Sequence, residues 1–382
     1  MKIGIPKEVL PGENRIALIP DSVKKLKEQG IEIVLESGAG AASNHSDEDY
    51  AASGAEIAST HQAVLGGADL IVKVMPPTTG GDDGPDEVSQ FKEGAALIAL
   101  LQPFNRRGML EKLAARNLTA MSMELVPRIS RAQNMDVLSS MATLAGYKAV
   151  LMAANAFQRF FPMFMTAAGT IAPARVLILG AGVAGLQAIA TAKRLGAVVE
   201  AFDTRPVVKG EVESLGAKFI ALDASHEEAQ DAGGYAKELS EEHHRKELEL
   251  IASRMPRTDI IITTAQIPGK KAPILITGEM VKSLKPGSVI LDMAVEGGGN
   301  CELTEYDATV VKHGVTLIGK TNLPSLMPVH ASQMYSKNIL NLINHLMGED
   351  GLQFDMEDPI TSGVVVTQGG SIVHPTLRGE NG

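Results

Sequence analysis

Glycine occupies the first, third and sixth places of Gly180-Ala181-Gly182-Val183-Ala184-Gly185, and an aspartate, Asp203, follows close behind. Such spacing suits the binding of a dinucleotide. Gly180 permits a tight turn, Gly182 lets the backbone approach a pyrophosphate, and Gly185 lets a helix pack close to a strand. The positive end of that helix then faces the phosphates. Glycine is common, so the pattern alone is weak, and its context strengthens it. The apolar run Val176–Leu179 leads into Gly180, a helical pattern starts at Val183, and a second strand ends at Asp203, near the expected roughly 20-residue spacing. Asp203, followed by Thr204 and Arg205, would accept hydrogen bonds from the adenosine ribose and repel a 2′-phosphate, which favours NAD(H) over NADP(H). Arg205 would soften this preference if turned to the ribose; a solvated arginine is the commoner outcome.

The elements that must position these residues alternate in type. Strand-like runs at Arg175–Leu179, Val198–Phe202, Lys218–Leu222, Asp259–Thr263, Ser288–Met293 and Thr316–Gly319 surround the fingerprint, with a helix over Val183–Leu195. Ligands sit at the carboxyl ends of such strands, so Ala265 and Gln266 within Thr263–Gly269, and the glycine-rich stretch Asp292–Asn300, would line the same crevice. Plain loop glycines are the alternative there. An earlier series (Lys2–Ile5, a helix near Ser22–Gln29, Glu32–Glu36, Leu70–Val74, Ala96–Leu101, Thr119–Met123) has the same rhythm. The chain therefore reads as α/β, with two doubly wound, Rossmann-like parallel-sheet domains joined by long helices. We expect one domain over residues 1–137 and 328–382, and the nucleotide-binding domain over 138–327. The connector is a long Ala- and Met-rich helix from Met135 to about Phe161, with Met141 and Met152 as core filling. A final helix, about Ser332–Met347, and the run Gly363–Thr367 should return to the first domain.

A length of 382 residues suits two cores, and a 45% hydrophobic, 21% charged composition suits globular folding. A formal net charge of -10 argues against a nucleic-acid partner. Cys301 has no second cysteine for an internal disulfide, and no metal-ligand cluster is evident. His243 and His244, adjacent on a helical pattern, point apart and make a poor metal pair. The amino terminus has neither the apolar core of a signal peptide nor a transit-peptide pattern. The longest uncharged apolar run, Ala95–Leu101, is far short of the ~20 residues of a helical span, so no transmembrane segment is expected.

The stretch Val126-Pro127-Arg128-Ile129-Ser130-Arg131-Ala132-Gln133-Asn134-Met135-Asp136-Val137-Leu138-Ser139-Ser140 resembles the α subunit of proton-translocating NAD(P)+ transhydrogenases, in the alanine dehydrogenase/transhydrogenase superfamily. The likeness extends over nearly the whole chain: Ile5-Pro6-Lys7-Glu8 with Asn14-Arg15, Thr166–Thr170, the fingerprint, Gly233–Lys237 and Ile267–Lys270. It implies that Arg128, Gln133, Asp136 and Ser139 surround the nicotinamide and its phosphates, with Ile129, Ser130, Val137 and Leu138 beside them. Arg128 and Asp136 would hold each other, Gln133 would sit over the ring, and Ser139 would bond the carboxamide. Read alone, Asp136 and Ser139 equally suit a helix cap. The likeness also implies that Glu247 contributes to the NAD(H) site and that Asp231–Leu239 is a mobile loop with Gly233 and Gly234 as hinges and Tyr235 closing over nucleotide.

By the same resemblance, NADP(H) is held on a β subunit, protons cross a membrane-spanning subunit, and this chain sits as a homodimer on the cytoplasmic side of a bacterial inner membrane. Direct hydride transfer from NADH to NADP+ needs positioning and no protein acid. Alanine dehydrogenase is the neighbouring reading, and Arg15 and Lys73 stand at positions similar to its substrate-binding cations. It must also move a proton, yet Ile98–Gln102, where that family has its histidine, contains none, and its aspartate is replaced around Glu296. A non-catalytic NAD(H)-sensing protein is the third reading.

Overall fold

The computed structural model describes residues 1–81, 84–221, 241–267, 269–349 and 351–378. They form two compact units, Met1–Met141 with Pro324–Gly382, and Ala142–Leu323. The division falls within one helix, Val137–Ala156.

The first unit is built on an eight-stranded sheet in the order Ser371–Ile372, Val365–Gln368, Thr119–Ser122, Ala96–Ala99, Leu70–Val72, Lys2–Ile5, Glu32–Glu36, Glu56–Ala58. The six strands from Thr119–Ser122 onward pair in parallel. Parallel strands require crossover helices on the faces, so their sequences are apolar at nearly every position: Ile3, Ile5, Leu70, Ile71, Val72, Leu97 and Ile98 are all fully buried. The last two strands depart from an all-parallel sheet, because Val365–Gln368 joins Thr119–Ser122 antiparallel and then turns back as a hairpin. The helix Pro328–Leu346 brings the chain to this unit, and its Tyr335 hydroxyl donates to the carbonyl of Lys73 (2.8 Å).

A charged cluster gathers at the carboxyl ends of the strands Glu32–Glu36 and Leu70–Val72. Lys73 Nζ lies 2.5 Å from Glu87 Oε1 and 3.6 Å from Glu8 Oε2, with the lysine wholly buried. His61 bridges Glu36 (2.6 Å) and Glu87 (3.0 Å) through its two ring nitrogens. Burial alone would lower the His61 pKa, but its hydrogen bonds and ion pairs with Glu36 and Glu87 outweigh that and raise it to about 9. Burial pushes Glu87 up, and His61 and Lys73 more than reverse this, taking it to about 2.

The second unit carries a seven-stranded sheet in the order Lys218–Ile220, Val198–Phe202, Arg175–Leu179, Ile260–Thr263, Val289–Asp292, Val315–Ile318, Thr309–Lys312. All pairs are parallel except the last, a hairpin at the edge. The order reverses at Arg175–Leu179, whose neighbours on the two sides come later in the chain. That is the switch point at which a crevice opens above the strand ends. The helix Val183–Arg194 begins there. A Cβ on Gly146, in the Val137–Ala156 helix, would overlap the carbonyl oxygen of Ala184, so two helix backbones touch where only glycine fits.

By length and composition Val137–Ala156 could cross a membrane, a feature that a search for uninterrupted apolar runs overlooks. Ala149, Val150 and Ala153 are buried in the protein, as in a core helix, which makes this weak evidence for a span.

Two outcomes follow. Gly146→Ala should destabilise the chain by about 1–3 kcal/mol in urea denaturation because no rotamer relieves an overlap with backbone. Gly182→Ala, whose Cβ meets nothing within 4 Å, should stay within about 0.5 kcal/mol; equal effects would contradict the close helix approach. Second, His61 has a folded pKa of about 9 against 6.5 for the free group. Its contribution to stability is therefore complete below pH 6.5 and is lost as pH rises through 9. The stability difference between the wild type and His61→Gln should shrink across that window, and a pH-independent difference would rule the charged bridge out.

Candidate functional site

Gly180 leaves the strand Arg175–Leu179 with φ 99°, a left-handed turn that glycine adopts without strain. Its N–H donates to the Phe202 carbonyl of the next strand (2.8 Å), and its own carbonyl accepts from Thr264 Oγ1 (3.1 Å). Gly182 stands at the amino cap of the Val183–Arg194 helix, and a Cβ there would enter open space. Gly185 is the packing glycine, since a Cβ on it would overlap the Gly180 carbonyl. Ala181 is fully buried, Val183 is exposed, and Ala184 is the residue that Gly146 meets. The turn thus presents its backbone and the helix amino end to the crevice, as pyrophosphate binding requires.

Asp203 ends the adjacent strand and is almost buried. Ala181 N–H donates to its Oδ2 (2.7 Å), which ties the acid to the glycine turn. Arg205 takes the rest: its N–H and Nε donate to Oδ1 (2.9 and 2.8 Å) and its Nη2 to Oδ2 (2.8 Å). The expectation of a solvated arginine is corrected here. A short loop returns the guanidinium onto the only carboxylate within two residues, and this bidentate geometry is stronger than solvation of a mobile side chain.

Glu247 lies on the helix Glu241–Ala252, one turn before Ile251, which packs against Phe202 and Ile220. That shared face turns its carboxylate inward, leaving it 3% exposed. His244 and His243 lie 3.4 and 3.6 Å from it, and Oε1 has no hydrogen-bond partner. Burial raises its pKa; His244 opposes this and the charge of Asp203 adds to it. Thr204 Oγ1 is likewise buried and unpartnered. A buried, unmatched acceptor and hydroxyl beside Asp203 fit the hydroxyl-rich adenosine end of a dinucleotide, since such groups are costly unless a ligand completes them.

Two strand ends farther along are braced by residues that motif reading missed. Asp292, fully buried, accepts from Thr263 Oγ1 and from the N–H groups of Ala294, Asn300 and Cys301. Asn300 accepts from Ala265 N–H (3.1 Å) and donates to the Ala265 and Pro273 carbonyls. Ala265 therefore has both backbone groups engaged, and Gln266 donates from Nε2 to the Met293 carbonyl (3.1 Å). A polar residue at each end of a glycine-rich stretch was the available signal. Among the described residues no cluster of His, Cys, Asp or Glu could hold a metal.

In the first unit Ser130–Met135 forms a 3-10 turn before the helix Val137–Ala156. Arg128, Ile129, Ser130, Gln133 and Leu138 are exposed, Val137 is buried, and Asp136 and Ser139 are half-buried. Asp136 accepts from Ser139 N–H (2.9 Å) and Ser139 Oγ (2.6 Å). Asp136 thereby caps the helix start, where free N–H groups attract a carboxylate. Gly234 and Tyr235, with the rest of the expected mobile loop, lie outside the described residues.

Arg15 and Lys73 have carboxylate partners of their own. Arg15 donates from Nε and Nη2 to Glu13 (2.8 and 2.6 Å), while Lys73 meets Glu87 and Glu8. Gln102 stands at φ 51° with its amide oxygen accepting from Arg106 (3.0 Å). The N–H groups of Leu101 and Gln102 donate to the Glu124 carboxylate (3.0 and 2.7 Å), and Glu296 accepts from Asn322 N–H (2.8 Å).

Comparison with known proteins separates the readings. The chain matches the family models Alanine dehydrogenase/PNT, N-terminal domain, over residues 4–145 and Alanine dehydrogenase/PNT, C-terminal domain, over residues 149–375. It is 53% identical over 383 residues to an NAD(P) transhydrogenase subunit alpha chain of Rhodospirillum rubrum, covering 100% of both chains. It is 31% identical over 336 residues to alanine dehydrogenase 2 of Staphylococcus aureus, covering 86% of this chain and 82% of that one. The solved transhydrogenase from Sinorhizobium meliloti superposes with a TM-score of 0.86 at 42% identity, covering 98% of this chain and 100% of that one. The chain belongs to the alanine dehydrogenase/PNT family, in the branch of the NAD(P) transhydrogenase α subunits.

Proposed function

We propose that this chain binds NADH and delivers its hydride to NADP+ held on a β subunit, with the transfer coupled to protons crossing a membrane-spanning subunit. The carrying observation is the glycine turn at the sheet's switch point, its helix amino end open and Asp203 bonded to Ala181. When bound, the dihydronicotinamide supplies the hydride at C4, and no protein acid is required.

The residues then have separable tasks. The turn Gly180–Gly185 cradles the pyrophosphate. Asp203, Thr204 and Glu247 receive the adenosine ribose, and two carboxylates repel a 2′-phosphate. Arg205 releases Asp203 to a ribose hydroxyl. Ala265 and Gln266, held by Asn300 and the Met293 carbonyl, form a wall of the crevice. Gly234 and Tyr235 close over the nucleotide. Gln133 sits over the nicotinamide, and Arg128 and Asp136 steady the segment around it. Asp136 directs the Ser139 proton to itself, so the Ser139 oxygen would meet the carboxamide N–H. The exposed Ile129 and Leu138 offer the apolar contact that a ring needs.

Homodimerisation belongs to the same proposal. The hairpin Phe164–Thr166 with Gly169–Ile171 and the residues before it leave Phe160, Met163, Phe164, Met165 and Ile171 exposed, which supports burial against a second copy. With partner subunits in the membrane, the chain would be peripheral on the cytoplasmic side of a bacterial inner membrane.

Stopped-flow mixing of the NADH-loaded chain with an NADP+-loaded β-subunit domain should show rapid hydride transfer. Gln133→Asn should slow it about 10–100-fold with NADH affinity changed less than about threefold, as expected of a positioning contact. Reductive amination of pyruvate by the isolated chain would sink the proposal in favour of an amino-acid dehydrogenase; tight NADH binding without transfer would favour a sensor. Asp203→Ala should weaken NADH binding about tenfold and, by freeing Arg205, tighten NADPH binding. An unchanged ratio of the two affinities in equilibrium titration would remove Asp203 from the specificity argument.

A further inference from the structure

The 3-10 turn Ser130–Met135 buries only Ala132 and Met135 among its six residues, so packing alone holds it weakly. Its backbone is held instead by hydrogen bonds from the helix Pro328–Leu346. Asn338 Nδ2 donates to the Asn134 carbonyl (2.8 Å), and Asn341 Nδ2 donates to the same oxygen (3.0 Å). Residues three apart share a helix face, and both lone pairs of that carbonyl are thereby claimed. A second tether lies on the other side of Gln133: Arg131 Nη2 donates to Asp358 Oδ2 (2.6 Å), and Asp358 also caps the helix Pro359–Val364.

Asn338 does this at a cost. It is 5% exposed, and its Oδ1 is buried with no hydrogen-bond partner. A flip of the amide would set oxygen against the Asn134 carbonyl, so the orientation is forced. An orphaned buried acceptor lowers stability, and a leucine, branched at the same carbon and without polar atoms, would avoid it. The residue therefore serves the turn at the expense of the core. Gln133, next to the anchored peptide, has an exposed side chain whose amide makes no hydrogen bond among the described residues, so its direction is set by the backbone that the two asparagines hold.

We propose that Asn338 and Asn341 are positioning residues for hydride transfer: by fixing the Asn134 carbonyl they aim the neighbouring Gln133 at the donor ring. This rests on the reading of Gln133 given above. The geometry demands little motion to matter, since a misplacement of about 1 Å is enough to slow a reaction ~100-fold.

The test compares Asn338→Leu, Asn341→Ala, Gln133→Ala and each asparagine variant combined with Gln133→Ala. The full chain is mixed with an NADP+-loaded β-subunit domain, and transfer rate, NADH affinity and thermal midpoint are read together. Asn338→Leu should slow transfer about tenfold, leave NADH affinity within about twofold, and hold or raise the thermal midpoint. A purely structural residue would not separate rate from stability in this direction. Asn341→Ala, half-buried and tolerant of truncation, should show the same pattern more weakly. Neither should add to the loss in Gln133→Ala. Wild-type transfer in both asparagine variants beside a slow Gln133→Ala overturns the positioning role alone, as do losses that follow stability or NADH affinity. Wild-type transfer in Gln133→Ala overturns the reading on which it rests.

Discussion

The hydrogen bond from Ala181 N–H to the carboxylate of Asp203 joins two strand ends that the chain separates by a whole helix. It can form only because three other conditions hold. The strands are in register, Leu179 beside Phe202. Gly180 turns left-handed, which brings the next amide over the neighbouring strand. Gly185 lets the helix sit against that turn with no side chain between. A change to any of these displaces the acid, the amide or the helix end, and each faces the same crevice. The turn is thus a fold constraint at Gly180 and Gly185, where a side chain would overlap its neighbours, and bare at Gly182, where a Cβ meets nothing.

The first unit solves a different problem. It places charged groups inside an apolar frame and pairs them locally. Lys73, Glu87, Glu8, His61 and Glu36 form a connected chain of ion pairs, and removing one partner leaves a buried charge uncompensated, which costs far more than the pair contributes. Arg15 and Lys73, the two cations that the sequence sets beside those of alanine dehydrogenases, are paired in the same way, Arg15 with Glu13 and Lys73 with Glu87 and Glu8. Here each already has an acid, and the left-handed Gln102 supplies no proton.

Much of this was legible. Lys2–Ile5, Glu32–Glu36, Arg175–Leu179 and Val198–Phe202 were read to the residue, because β-branched runs bounded by turn residues leave little choice. Glu56–Ala58 was missed: three residues, one of them an exposed glutamate, carry no periodicity. The connector helix was read too long, past Ala156, because Phe157 and Phe161 continue the apolar pattern while the chain turns into a hairpin. In the site, the fingerprint and Asp203 were legible since each residue type has one physical task. Most of the partners were not. The Asp136–Ser139 cap was one of the readings that spacing allowed; whether Arg205 turns to water or to Asp203 depends on side-chain rotamers, and that Asn338 reaches across to Asn134 depends on a tertiary distance that spacing does not encode. Asn300 was visible only as one more polar residue after three glycines.

The pairing of Arg205 with Asp203 has a kinetic side. Every hydrogen-bonding position of that carboxylate is taken by the protein itself. A ribose that claims it must evict the guanidinium, and the guanidinium stands ready two residues away to reclaim it. If Asp203 receives the ribose as proposed, the protein carries its own competitor for the nucleotide, tethered at high effective concentration. Such a competitor stabilises the empty site and loosens the complex by that free energy, a bias against nucleotide held too tightly to exchange.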